Sequence, residues 1–339
     1  MSKIGRLTTL LVLFVVLALA VMQLTLSSHL HTFFGQYVHQ KPDAILFTGD
    51  VMLARTVETR INTVGKDNFF AGLRSLHERA RYVVGNFEGS IPNVHSQTKD
   101  FDFKFSVNNS FMSLLRNAHF THFTLANNHA MDFGVEGLTH TREVLQASSL
   151  VPFGDPLNVG TSSIAILDIN GLKVGVIGLH AVWNEPDHDA VARMLDVLKS
   201  KTDAQIAVVH WGTEYEKVHT LAQENFARFL ISHGVDAIIG HHPHVVEDIG
   251  LVDGRPVFYS LGNYIFDQYW SDDVENGLAV LTTVHDRVMN FDLVPVHTDH
   301  SVPRLLDQKQ TDAFLRTLAL RSDEALKSEI AAGSISVSF

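Results

Sequence analysis

Five apolar runs in this chain each end in a cluster of Asp, Asn, Glu or His side chains, and this repetition limits the possible folds most. The runs at 44–47, 82–84, 121–125, 206–209 and 236–239 have the length and composition of buried strands, and 256–259 is a sixth. Amphipathic helical stretches lie between and around them at 69–80, 110–118, 135–147 and 221–233. Such alternation predicts an α/β layered fold with helices outside the sheet. Polar clusters that follow strands gather at the strands' C-terminal edge, where open α/β sheets bind ligands. Two segments break the alternation. Asn170-Gly171 lies between apolar runs within 164–178, the signature of a tight hairpin, and 278–284 with 288–294 forms a second antiparallel pair. The expectation is therefore two packed, mixed sheets.

The clusters contain the chemistry. Asp50 follows the first run, and Asn86 and Glu88 follow the second, spaced so that an extended backbone points both to one side. Asn127, Asn128, His129 and Asp132 follow the third, and His210 the fourth, with Trp211, Glu214 and Tyr215 just beyond. The fifth is GHHPH, in which Pro243 restricts the backbone between His242 and His244, next to His241. One such residue is more often a turn former or a helix cap; five clusters in succession point to a common site. The chain has no cysteine and 20 histidines, so its metal chemistry must use imidazole and oxygen donors, which suit Mn, Zn or Fe. A net charge of -11 with no basic stripe argues against nucleic acid as a partner.

Lys3 and Arg6 precede an uncharged, largely aliphatic stretch at 7–26, long enough at about 1.5 Å per residue to cross roughly 30 Å of hydrocarbon. The expectation is a retained single-pass anchor over 1–28 with its N-terminus cytoplasmic, a linker over 29–42, and the remaining chain on the outer face of the cell membrane. Ala18-Leu19-Ala20 supplies the competing reading, a cleaved signal peptide. No Gly- or Ser-rich linker interrupts 43–300, which is read as one domain, and 301–339 is read as a helical tail.

The motifs GDVM, GNFE, ANNHAMDFG, HWGTEY, GHHPH and SLGNYIFDQ, in this order over about 43–290, resemble the CapA family of poly-γ-glutamate capsule synthesis, within the calcineurin-like metallophosphoesterases. The resemblance implies a four-layer αββα sandwich holding one or two divalent ions. It implies Asp50, Asn128, His210, His242 and His244 as residues around the metal, with Glu88 joining them as the nearby anionic substitute for a missing carboxylate, and His129 as the acid near the leaving group, oriented by Asp132. Asn86, His241, Glu214 and Asn263 become residues that stand behind the ligands or face the substrate. Two positions depart from the superfamily: Met52 stands where a His ligand is expected, and Asn86 where a bridging Asp is expected. The ion held by Asn128, His210 and His242 should then be firmer than the one that shares Asp50. The implied function is a metal-dependent, phosphoesterase-type hydrolase acting on a phosphoester or a γ-linked polyanion. The alternative is a non-catalytic binding or assembly component of a capsule polymer synthesis and export complex, working with other membrane proteins of that system.

Overall fold

The computed structural model describes residues 43–339. The expected anchor (1–28) and linker (29–42) lie outside the described residues. Among the described residues, no helix is long and apolar enough to cross a membrane.

The chain begins one sheet with strands β1 (Ala44–Val51), β2 (Tyr82–Phe87), β3 (His122–Thr124) and β4 (Val151–Phe153), all parallel neighbours in that order. A second sheet follows: β5 (Ile164–Ile169), β6 (Leu172–Ala181), β7 (Ala204–Trp211), β8 (Ala237–His241), β9 (Ile249–Val252) and β10 (Arg255–Phe258), in the order β5-β6-β7-β8-β10-β9. The chain then returns to the first sheet with β11 (Asn263–Ile265), β12 (Asn276–His285), β13 (Val288–Asp299), β14 (Val302–Leu305) and β15 (Ser334–Ser338). Both expected hairpins are present. Asn170 and Gly171 turn β5 into β6 at positive φ, and Asp286 and Arg287 do the same between β12 and β13.

Alternation along the strands sets the layers. In β1, Ala44 and Leu46 face one apolar cluster while Ile45 and Phe47 face another. The second cluster also holds Val174, Val176, Ile206, Val208 and Ile239, so it fills the space between the two sheets. On the far side of the second sheet, Ala207, Val209 and Ile238 meet Val191 and Leu195 of helix α3 (His188–Lys199) and Phe226 and Leu230 of α4 (Leu221–Ser232). On the far side of the first sheet, α1 (Arg55–Val64) and α2 (Gly134–Ala147) contribute Val57, Ile61, Leu138 and Leu145. Three apolar layers thus separate helix, sheet, sheet and helix.

Three stretches differ from the sequence expectation. The run 69–80 is split into short helices at Lys66–Phe69 and Arg74–His77 with a tight turn of 3-10 helix at Ala71–Leu73, because Gly72 lies against β14, where a Cβ would sit 2.8 Å from the Pro303 carbonyl oxygen. At 110–118 a 3-10 turn precedes a short helix. Residues 301–339 are not a helical tail outside the domain. Helix α5 (Gln308–Arg321) is there, but β14 and β15 pair with β13, and Leu318, Ile330 and Ile335 are fully buried in the layer between the sheets.

Candidate metal centre

The C-terminal ends of β1, β2, β7 and β8 meet at one point, so side chains from both sheets touch. His241 Nε2 lies 2.9 Å from the Thr48 carbonyl oxygen, and the His242 amide donates to Asp50 Oδ2 at 3.3 Å. Asn86 is the hub. Its Nδ2 lies 2.8 Å from Asp50 Oδ1, 3.2 Å from Glu88 Oε2 and 3.2 Å from His210 Nδ1, while its Oδ1 accepts from Asn127 Nδ2 at 2.9 Å. His210 Nε2 lies 2.8 Å from Asn128 Oδ1. His244 places Nδ1 3.0 Å from Asn263 Oδ1 and 3.5 Å from Asp50 Oδ2, and Nε2 3.7 Å from Glu88 Oε1.

The metal-capable donors fall into two adjoining groups, Asp50 with Glu88 and His210, and Glu214 with His242 and His244; within each, the donor atoms lie within 4.8 Å of one another. The three residues expected to act together also lie side by side, with Asn128 against His210 and the His210 and His242 rings 4.9 Å apart. The Asn128 oxygen is engaged by His210, and Glu214, expected only in an outer role, stands beside two imidazoles. Met52 takes no part, since its sulfur accepts the Ala54 amide.

The arrangement fits a divalent cation on its own chemistry. Glu88 is fully buried, and among the described residues its Oε1 has no hydrogen-bond partner; nor has the buried Nδ1 of His242. Unpaired buried polar atoms of this kind cost stability unless something satisfies them. Burial and the charge of Asp50 push the Glu88 carboxyl well above the ordinary carboxylate range. Burial would also raise Asp50, but His244 and His241 hold it below its ordinary value. Burial, with neighbouring imidazoles, lowers His210 strongly and brings His242 down to about 3, which keeps both neutral and able to ligate. The loop backbone is also unusual: His242 and His244 have φ of 100° and 60°, conformations that cost roughly 1–3 kcal/mol each and gather at functional sites. The Tyr215 amide donates to the Pro243 carbonyl at 2.8 Å and so joins this loop to the one carrying Glu214.

His129 lies at the edge of the centre. Its Nδ1 is 3.1 Å from Asp132 Oδ2, which also accepts the Phe105 amide, and its Nε2 is 3.9 Å from Glu88 Oε1. Phe105 stacks on the ring at 4.0 Å. Trp211 does not line the centre; it is buried and donates to the Tyr259 carbonyl. His180, at the end of β6 and 6.1 Å ring to ring from His210, went unnoticed in the sequence although it too is a polar residue at a strand end.

Behind the centre, Glu247 is fully buried, with Oε2 accepting from Gln223 Nε2 at 2.7 Å. Burial raises its carboxyl from 4.5 to about 8. Because the folded value lies above the unfolded one, stability falls as pH rises from 4.5 toward 8. Glu247→Gln has no such loss. Its stability advantage over the unsubstituted chain should be small at pH 4 and reach roughly 3 kcal/mol at pH 7. Urea denaturation of both proteins across this range checks it; parallel pH profiles would contradict it.

A family profile described as "Bacterial capsule synthesis protein PGA_cap" matches residues 44–268. The PGA biosynthesis protein CapA of Bacillus subtilis (strain 168) is 29% identical over 301 residues, covering 84% of this chain and 79% of the relative. The capsule biosynthesis protein CapA of Bacillus anthracis is 27% identical over 289 residues, covering 78% and 70%. Among solved structures, a hypothetical protein from Thermus thermophilus superposes with a TM-score of 0.45 at 18% identity, covering 77% of this chain and 95% of that one.

Proposed function

The chain belongs to the bacterial capsule synthesis protein family, and from that premise we propose that its strand-end cluster is a divalent-metal site with metallophosphoesterase-type hydrolase activity in the synthesis of a capsule polymer such as polyglutamate. The observation that carries this reading is the fully buried, unpartnered Glu88 Oε1 beside Asp50 and His210. A bound divalent ion supplies electrostatic stabilisation to a phosphoryl or carboxyl oxygen and acidifies water. The protein's own residues do the rest. Asp50 and Glu88 provide negative charge, His210 and His242, held neutral by burial, provide nitrogen donors, and His244 offers a further ring nitrogen beside them. Asp132 fixes His129 through Nδ1, leaving Nε2 to pass a proton to the departing oxygen. An anchor in residues 1–28 would hold this domain at the outer face of the membrane, beside other capsule-synthesis proteins.

Steady-state kinetics on the metal-loaded protein test the reading. Phosphodiesters with poor and good leaving groups separate the role of His129: His129→Gln should lower kcat by about 10²–10⁴ with an alkoxide leaving group and far less with p-nitrophenolate, which needs no proton. Asp132→Asn should shift the pH profile of kcat in the same substrate-dependent way. Equal losses for both leaving groups would remove His129 from the acid role. A second reading, a polymer-binding or assembly protein without turnover, is favoured by Asn86, which puts an amide where an anionic bridge is expected. A metal-loaded wild type without turnover on phosphodiesters or γ-glutamyl polymers would decide for it.

A further inference from the structure

Tyr215 and Gln268 form a wall shared by the metal centre and a neighbouring cleft of about 570 Å³. Gln268 Nε2 donates to Tyr215 Oη at 3.2 Å, and Gln268 Oε1 accepts from Asn263 Nδ2 at 2.9 Å; Asn263 in turn meets His244. Aromatic rings line the remainder: Phe101, Phe103, Tyr269 and Trp270, the last edge-on to Tyr215 at 5.4 Å. Phe101, Phe103 and Trp270 are 91%, 74% and 63% exposed, so large apolar faces are held open to water around one hollow. Clustered exposed aromatics of this kind mark a binding surface.

The charges in the cleft select among ligands. Arg55 Nε lies 3.1 Å from Asp267 Oδ2, its Nη2 meets Oδ1 and its Nη1 donates to the Asp102 carbonyl at 3.4 Å, so its guanidinium is already engaged. Asp100 accepts from Thr56 Oγ1 and has no cation beside it in the cleft lining. The lining therefore carries two carboxylates against one guanidinium, in a chain of net charge -11, and repels a bare polyanion. A hydrocarbon chain would strip water from Asp100 without replacing its hydrogen bonds. A sugar ring satisfies both demands. Its C–H faces lie on aromatic rings, and its hydroxyls donate to carboxylates and to the amide and phenol groups between them. The volume is that of a pocket for a ligand of several rings at most.

We propose that this cleft is a subsite for a neutral glycan, placed so that an anionic linkage at the glycan's end reaches the metal donors. The role of that linkage rests on the proposed function; the glycan contact itself does not require the metal. The full chain in EDTA is titrated with cellohexaose, chitohexaose and hexa-γ-glutamate by calorimetry and tryptophan fluorescence. At least one neutral hexasaccharide should bind saturably and perturb the fluorescence, and affinity should drop about tenfold in Trp270→Ala and in Phe101→Ala. Trp183→Ala, another exposed tryptophan outside the cleft, should bind as the wild type does. No saturable binding of either sugar, unchanged affinity in the Trp270 and Phe101 variants, or Trp270-dependent binding of hexa-γ-glutamate would overturn the assignment. Because EDTA removes the metal, failure here leaves the metal reading intact, and absence of metal would leave the glycan contact intact.

Discussion

Asn86→Asp should be severely destabilised in EDTA and rescued by Mn²⁺. The Asn86 amide is the donor placed among Asp50 Oδ1, Glu88 Oε2 and His210 Nδ1. An aspartate offers no proton there and adds a third carboxyl to a pair that already pushes Glu88 toward its protonated form. Breaking a buried polar network so that its charges stand uncompensated costs roughly 3–5 kcal/mol. A divalent cation would reverse the sign, because the new carboxylate would then offer an additional hard ligand beside Asp50, Glu88 and His210. Denaturation midpoints should therefore fall well below wild type in EDTA and approach it with excess Mn²⁺, with metal affinity above that of the wild type. An Asn86→Asp variant as stable as wild type in EDTA would show that Asp50, Glu88 and position 86 do not interact as described.

Gly240→Ala should prevent folding or come close to it. Gly240 precedes His241 at the end of β8, and a Cβ there would lie 1.9 Å from the Tyr259 carbonyl oxygen and 2.7 Å from Trp211 Nε1. The oxygen is backbone, between β10 and the crossing to β11, and cannot swing aside. Relief requires β8 to move away from its parallel partner β10, which also breaks the Trp211 to Tyr259 hydrogen bond and displaces the three histidines that follow. Overpacking in a tight core costs about 1–3 kcal/mol, and contact with fixed backbone places this case at about 4 kcal/mol or more. Gly160→Ala, where a Cβ meets nothing within 4 Å among the described residues, is the control and should stay within about 0.5 kcal/mol of wild type. Thermal melts of the two variants compare them directly; a Gly240→Ala protein that melts with the control would contradict the close approach.

How far the sequence could be read depended on distance along the chain. Strand positions and both hairpins were legible because burial periodicity and Asn170-Gly171 are local signals. Short spacings worked as well: Asn86 and Glu88, two apart on one strand end, do point together, and His129 does meet Asp132. Partnerships across the sheets were not legible. Local signals alone do not say that Asn128 is engaged by His210, which follows from how the two sheets pack, or that Glu214 joins His242 and His244, which follows from the adjacency of β7 and β8 within one sheet. The edge strands β14 and β15 read as part of a tail for a related reason: their pairing with β13 is long-range, and short strands at a sheet edge have weak periodicity. The cleft was missed because Arg55, Phe101 and Trp270 lie far apart in sequence and share no motif.

The metal centre itself is tested most directly by elemental analysis of the purified full chain beside a His242→Ala, His244→Ala double variant, after incubation with Mn²⁺, Zn²⁺ or Fe²⁺ and removal of excess ion. Near-stoichiometric metal in the wild type is expected, with a proton released on binding as Glu88 ionises, and its loss in a variant that still folds. A folded wild type that retains none of these ions would contradict the assignment of Asp50, Glu88, His210, His242 and His244 as a metal site.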